Sequence, residues 1–174
     1  EFIDLHKSED VRQLAFLAAK YPDIDMPWAL DQIRGWQIAR SKLPSWAEKQ
    51  GMIYPPHISM EQCSSEFTAK YKASVCERLQ SESKDKLSLL IDLTGGFGVD
   101  SFYISKVSKR VHYYETNKQL ASVVSHNFGI LGVKNIEINS SVINNQSILP
   151  LCDVIYCDPS RRDENNRRMY AIAD

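Results

Sequence analysis

The chain has 174 residues, of which 43% are hydrophobic, 10% aromatic and 25% charged. That composition excludes a disordered tail, a collagen-like repeat and a disulfide-stapled mini-protein, and the length suffices to bury one solid core. With 21 basic and 22 acidic residues the net charge is -1, so no global basic field announces a nucleic-acid partner and any such site has to be local. No apolar run reaches the roughly 18 residues of a membrane span, and the acidic, polar residues 1–10 do not read as a signal peptide. The expected location is the cytoplasm. Cys63, Cys76, Cys152 and Cys157 form no Cys-x-x-Cys pair and have no His at zinc spacing, so no metal site is expected. Cys152 and Cys157 flank an apolar run and read as small core residues.

Residues 1–82 have a helical texture. Asp10 is placed to cap a helix carrying Val11, Leu14, Phe16, Leu17 and Ala18. A second helix is predicted over 28–43, with Leu30, Ile33, Trp36 and Ile38 as its apolar positions and Pro44 as its stop. Residues 51–56 hold a Gly and a Pro-Pro pair and read as a connector. Phe67, Tyr71, Val75 and Leu79 then repeat every four residues, the inner stripe expected of an amphipathic helix. Beyond residue 86 the texture changes. Residues 87–93 form a short apolar run, as in a strand buried on both faces, and 111–114, 136–138 and 154–157 look like further strands. Helical segments over 99–107 and 118–131 separate the first three, the second with Leu120, Val123, Val124 and Phe128 inward. Alternating strand and helix predicts a parallel α/β sheet with crossover helices. An open sheet of this kind usually has more strands, so the sequence reads as the front part of a longer protein.

The first strand runs into Asp92-Leu93-Thr94-Gly95-Gly96-Phe97-Gly98-Val99-Asp100. A glycine-rich turn between a strand and a helix lets backbone N–H groups approach a ligand closely, because Gly has no Cβ and tolerates positive φ. Glu115 ends the next strand, where a carboxylate can accept both hydroxyl protons of a ribose. Together they predict a pocket for an adenosine-bearing cofactor. A dinucleotide fingerprint is a near miss, since Ser101 stands at the third glycine position. Asp92 and Asp100 flank the turn with no neighbouring Lys or Arg in sequence, which disfavours a pyrophosphate. S-adenosylmethionine has no phosphate and carries an ammonium and a sulfonium, so two carboxylates suit it better. The fourth strand ends in Asp158-Pro159-Ser160-Arg161-Arg162. Asp158 is expected in the same crevice, and Arg161 and Arg162 are placed to grip an anionic substrate, or to pair with Asp163 and Glu164 on a surface loop. Asn139, with Ser140 and Ser141, follows the third strand, where a polar group could read an adenine edge.

These residues resemble the motifs of class I S-adenosylmethionine-dependent methyltransferases, with Thr94 where that pattern usually has its first Gly. More narrowly, Gln32-Ile33, Lys42-Leu43-Pro44, Ser64-Ser65, Thr68-Ala69-Lys70-Tyr71-Lys72, the run from Leu93 through Asp100, and Asp158-Pro159-Ser160-Arg161-Arg162 resemble a bacterial family whose methyltransferase activity is inferred. Members of that family carry a helical N-terminal region, the methyltransferase domain and a C-terminal THUMP-like domain. The resemblance implies a helical region over 1–60 and, over 61–174, a Rossmann-like methyltransferase domain that stops before its last strands. It implies donor binding by Asp92, Gly96, Gly98 and Glu115, transfer at Asp158, and RNA as substrate. By position, the donor site is also expected to take in Thr94, Gly95, Phe97, Asn139 and Asp158, with Pro159 at the transfer end and Arg161 and Arg162 near the substrate. In one departure, Ser160 and Arg161 replace the Pro and aromatic that usually follow Asn/Asp-Pro in amino-methylating relatives, so the usual base-stacking group is missing. Two other readings stand beside this one. One is an NAD-dependent oxidoreductase; the other is a non-catalytic module that binds the donor or RNA.

Overall fold

Asp10 caps a helix as expected, its side chain accepting a hydrogen bond from the Arg12 N–H. In the computed structural model, which describes residues 1–79, 87–144 and 146–159, that helix is short. Helix α1 spans Phe2–His6 and α2 spans Val11–Ala15. Leu14 is buried, but Phe16, expected within the helix, falls past its end and is exposed. A single 3-10 turn, Ala18–Lys20, leads to α3, Met26–Lys42. Asp25 caps α3 through the Trp28 N–H, and Pro27 sits in the first turn, where a missing N–H goes unnoticed. Pro44 does more than end α3, because it opens α4, Pro44–Ala47. Helix α5 follows at His57–Gln62 and α6 at Glu66–Arg78, the latter capped by Ser65.

Helix α6 turns the face opposite to the one predicted. Phe67, Tyr71 and Leu79 are exposed, while Glu66, Ala69, Ala73 and Cys76 are buried. The helix packs along α7, Val99–Ile104. Its buried positions are mostly small, which suits a close helix approach; the aromatic stripe is left outside. Glu66 is buried with partners: Lys70 lies 2.6 Å away and the Ser45 N–H donates to it at 3.0 Å.

The sheet has the order β3-β2-β1-β4, with every pair parallel. Strand β1 is Leu90–Asp92, β2 Val111–Tyr114, β3 Ile136–Asn139 and β4 Val154–Tyr156. Helix α7 links β1 to β2, and α8, Lys118–Ile130, links β2 to β3. The chain then returns across the sheet to place β4 on the far side of β1. That reversal opens a crevice beyond the carboxyl ends of β1 and β4. Strand β1, central and buried throughout, has the two-faced burial expected of its apolar run. The inner face of α8 is Ala121, Val124, Asn127 and Phe128, with Leu120 and Val123 half-buried beside it.

One hydrophobic cluster runs through both halves of the sequence, from Leu43, Trp46 and Met60 to Leu90, Val111 and Phe128. Two buried amides pin the connector between them. Gln32 donates to Tyr54 O at 2.9 Å and accepts from Tyr54 N–H at 2.8 Å. Asn127 does the same for Ile53, at 2.8 and 2.9 Å. Each amide thereby behaves like a short length of partner strand. The β4 edge differs from expectation. Cys157 is exposed and Cys152 only half-buried, because β4 is an edge strand whose outward side, including Ile155, stays open among the described residues. No helix among the described residues is long and apolar enough to cross a membrane.

Candidate functional site

The glycine turn is held from below by β1 and from the side by β2. Asp92, at the end of β1, is 1% exposed. Its carboxylate accepts from the Ser101 hydroxyl and, at 2.9 Å, from the Thr94 N–H. Burial pushes its carboxyl up from 3.8 to about 6, partly offset by those two hydrogen bonds. Gly95 has no room for a side chain, since an added Cβ would meet the Tyr113 ring at 2.1 Å. The Tyr113 hydroxyl donates to Gly96 O at 2.6 Å, so one aromatic from β2 fixes two successive residues of the turn. Gly96 and Gly98 both adopt left-handed backbone, with φ of 53° and 78°. They differ in surroundings. A Cβ on Gly98 would strike Phe128 at 2.8 Å, whereas one on Gly96 would meet nothing nearer than Thr94 O at 3.8 Å. Gly98 is needed for packing, and Gly96 keeps the pocket open.

Thr94 couples the two strand ends. Its hydroxyl oxygen accepts from the Asp158 N–H at 2.7 Å. Phe97 lines the crevice and also packs against the core, edge-on to Trp46 at 5.4 Å between centroids. Glu115, just past β2, reaches back over the turn. One of its oxygens accepts from the Gly96 N–H at 3.0 Å and the other from the Asn117 N–H at 2.8 Å. These groups surround a cavity of about 640 Å³ lined by residues 93–100, Glu115, Asp158 and Pro159, with Ser59, Gln62, Cys63 and Ser64 closing the opposite side. The crevice thus gathers Thr94, Gly95, Gly96, Phe97, Gly98, Glu115, Asp158 and Pro159. Asp92 lies behind the wall as its brace. Asn139 is not among the lining residues; its backbone pairs with the Glu115 N–H and its amide with Glu137 O. Arg161 and Arg162 lie outside the described residues, as do Ser160, Arg167 and Arg168.

A group from the helical half enters the site. The Lys72 ammonium of α6 lies 2.9 Å from Asp100 Oδ2, 2.8 Å from Asp158 Oδ2 and 2.9 Å from Ser64 Oγ. The Tyr156 hydroxyl lies 3.0 Å from the same Asp100 oxygen and 3.3 Å from that of Asp158, its single proton serving either. Burial pulls the ammonium down, but the hydrogen bonds to Asp158 and Asp100 outweigh it and hold its pKa above the ordinary lysine value. The expectation that Asp100 has no cation beside it is therefore corrected, since the cation comes from 28 residues earlier in the chain. Lys72 and Ser64 both fall in stretches that carry the family resemblance, which is the one sequence signal that could have singled them out. On the same side, burial pushes the Cys63 thiol up to about 11, so it is a poor nucleophile at neutral pH.

A candidate methyltransferase of Porphyromonas gingivalis W83 superposes on 79% of this chain with a TM-score of 0.61 and 25% identity, and the match takes in 32% of that protein's length. This is the Rossmann-like fold of the methyltransferases. A candidate RNA methyltransferase of Pyrococcus horikoshii shares the fold at a TM-score of 0.50, with 17% identity over 70% of this chain and 60% of its own. A candidate methyltransferase of Streptococcus mutans, solved with SAH, overlaps only 39% of this chain and 39% of its own, at 25% identity and a TM-score of 0.33, too partial to bear on this pocket. No protein-family model matches the chain, and no curated protein does. The chain spans about a third of the Porphyromonas protein.

Proposed function

We propose that the crevice binds S-adenosylmethionine and that the protein transfers its methyl group to RNA. The observation that carries the donor is the charge of the wall. Asp100, Glu115 and Asp158 line the cavity, and among the described residues the one ammonium against them, Lys72, leaves the three acids with a net negative charge. Such a wall suits a cationic ligand without phosphates. The fit is also steric, because the open side of Gly96 leaves the backbone exposed to a flat ligand. Glu115 would accept the ribose hydroxyls, and the backbone of residues 94–98 would face the rest of the nucleoside. Asp158, fixed by Thr94 at its N–H and by Lys72 at its carboxylate, is the polar group at the transfer end. Bound there, the donor supplies an electrophilic methyl on sulfur; the acceptor's lone pair forms the new bond as the carbon–sulfur bond breaks, leaving S-adenosylhomocysteine. The chain's task is alignment, with Asp158 as an acceptor for the proton the nucleophile sheds. The sequence supports an anionic substrate, since Arg161, Arg162, Arg167 and Arg168 follow β4.

One observation favours a second reading. With Lys72 against Asp100, a pyrophosphate meets less repulsion than the sequence suggests, so NAD is the alternative ligand. Calorimetric titration with S-adenosylhomocysteine, with NAD in parallel, separates the two. Binding of the homocysteine compound alone, weakened about 10- to 100-fold in Glu115→Ala by loss of charge-assisted ribose contacts, is the expected result. Binding of NAD alone overturns the methyl donor. Charge reversal of Arg161 and Arg162 that leaves RNA affinity and its salt dependence unchanged overturns the substrate.

A further inference from the structure

We propose that Lys72 is a positioning residue of the donor pocket: reaching in from α6, it holds the carboxylates of Asp100 and Asp158 as one fixed pair. The inference rests on the methyl-donor reading for its consequence, while the pairing stands on geometry alone. One ammonium contacts an oxygen of each carboxylate at 2.9 and 2.8 Å. The two acids come from different elements. Asp100 is in the first turn of α7, and Asp158 follows β4. Two carboxylates brought this close repel, and without a cation one of them either swings away or takes up a proton. Asp158 is the more exposed of the two, with a side chain 59% exposed against 15% for Asp100.

Other groups face the pair among the described residues. Tyr156 on β4 offers one neutral proton to the pair, and Ser64 before α6 offers another to Asp100 alone. Cys63 and Cys76 face Asp100 without charge, their thiols pushed up by burial. Asp92, behind the turn, adds a further acid to the neighbourhood of Tyr156. Lys72 brings an ammonium that touches both carboxylates at once, while Lys42, the other cation near Cys63, bonds to the backbone oxygens of Met60, Glu61 and Cys63. The consequence is that the helical half does not merely cover the sheet. It holds the acid at the transfer end through Lys72.

The test uses the whole chain and two probes, carboxyl-carbon NMR of the aspartates and calorimetric titration with S-adenosylhomocysteine. In Lys72→Met, the apparent pKa of one member of the Asp100/Asp158 pair should rise by about one unit or more. Affinity for S-adenosylhomocysteine should fall about ten-fold or more. Lys72→Arg, which keeps the charge, should restore most of both. A folded Lys72→Met protein with unmoved carboxyl titrations overturns the pairing. Moved titrations with wild-type affinity overturn the positioning role. Should Lys72→Met not fold, Lys72→Gln and Lys72→Arg are compared in the same two measurements. If the unmutated chain fails to bind the compound, the donor reading fails, and the NMR titrations still decide the charge pair.

Discussion

The two walls of the crevice are built on different principles. The glycine-turn wall is local: within a dozen residues of sequence it contains its backbone shape, its buried brace Asp92 and its open position Gly96. The opposite wall, from α5 to α6, is assembled at long range. Lys72 meets Asp158 across 86 residues of sequence, and Ser64 meets Asp100 across 36. A local wall is fixed by steric rules that a few residues obey together. A long-range wall exists only if two elements pack in one particular rotation.

The sharpest way to break the first wall is Gly98→Ala. The left-handed backbone costs about 1–2 kcal/mol for an L-residue, and crowding against Phe128 and Val124 adds about 1–3 kcal/mol. Chemical denaturation should show that loss. Gly96→Ala should show only the backbone part, because its Cβ meets open space, while affinity for S-adenosylhomocysteine suffers more than stability does. Equal destabilisation by the two would erase the distinction between a packing glycine and a pocket glycine.

Next in size is the seam between the walls. Asn127→Ala leaves the Ile53 N–H and C=O without their partner, a loss of about 1–3 kcal/mol. If the amide acts as the hinge-pin of the connector, proteolysis near residue 53 should rise in the variant. Unchanged denaturation midpoints and cleavage would show that the two halves hold together without it.

The smallest effect is a pH dependence beneath the turn. The folded-state value of Asp92 lies near 6, above its ordinary 3.8, so folding favours the protonated form. Its favourable contribution is present below the unfolded value and is lost as pH rises through about 6. Asp92→Asn should remove that slope, which amounts to about 2 kcal/mol between pH 4 and pH 7. The reverse sign would mean that the hydrogen bonds from Ser101 and Thr94 outweigh burial.

Much of this was legible before any coordinates. The alternation of apolar runs and helical segments led to a parallel sheet because each strand is buried by its own composition, and the β1–turn–α7 unit followed from residues that are neighbours in sequence. Helix α6 shows the limit. A four-residue period identifies a helix with two faces but not which face turns inward. The exposed row of Phe67, Tyr71 and Leu79 and the buried row of Ala69, Ala73 and Cys76 have nearly the same spacing. The small residues win because α7 lies close, a fact about packing distance that hydrophobicity does not carry. Asp100 reads as uncompensated in the sequence for a related reason: its cation lies 28 residues away along the chain.

By itself, then, the sequence determined the strand–turn–helix unit, the crossover topology and the acids at the strand ends, all set by backbone sterics and burial acting over short spans. The tertiary structure alone decided that Lys72 joins Asp100 to Asp158, that Asp92 is a brace behind the pocket, and that the aromatic row of α6 faces outward. Charge pairing and close packing depend on distances through space, and a chain's order does not record those until it has folded.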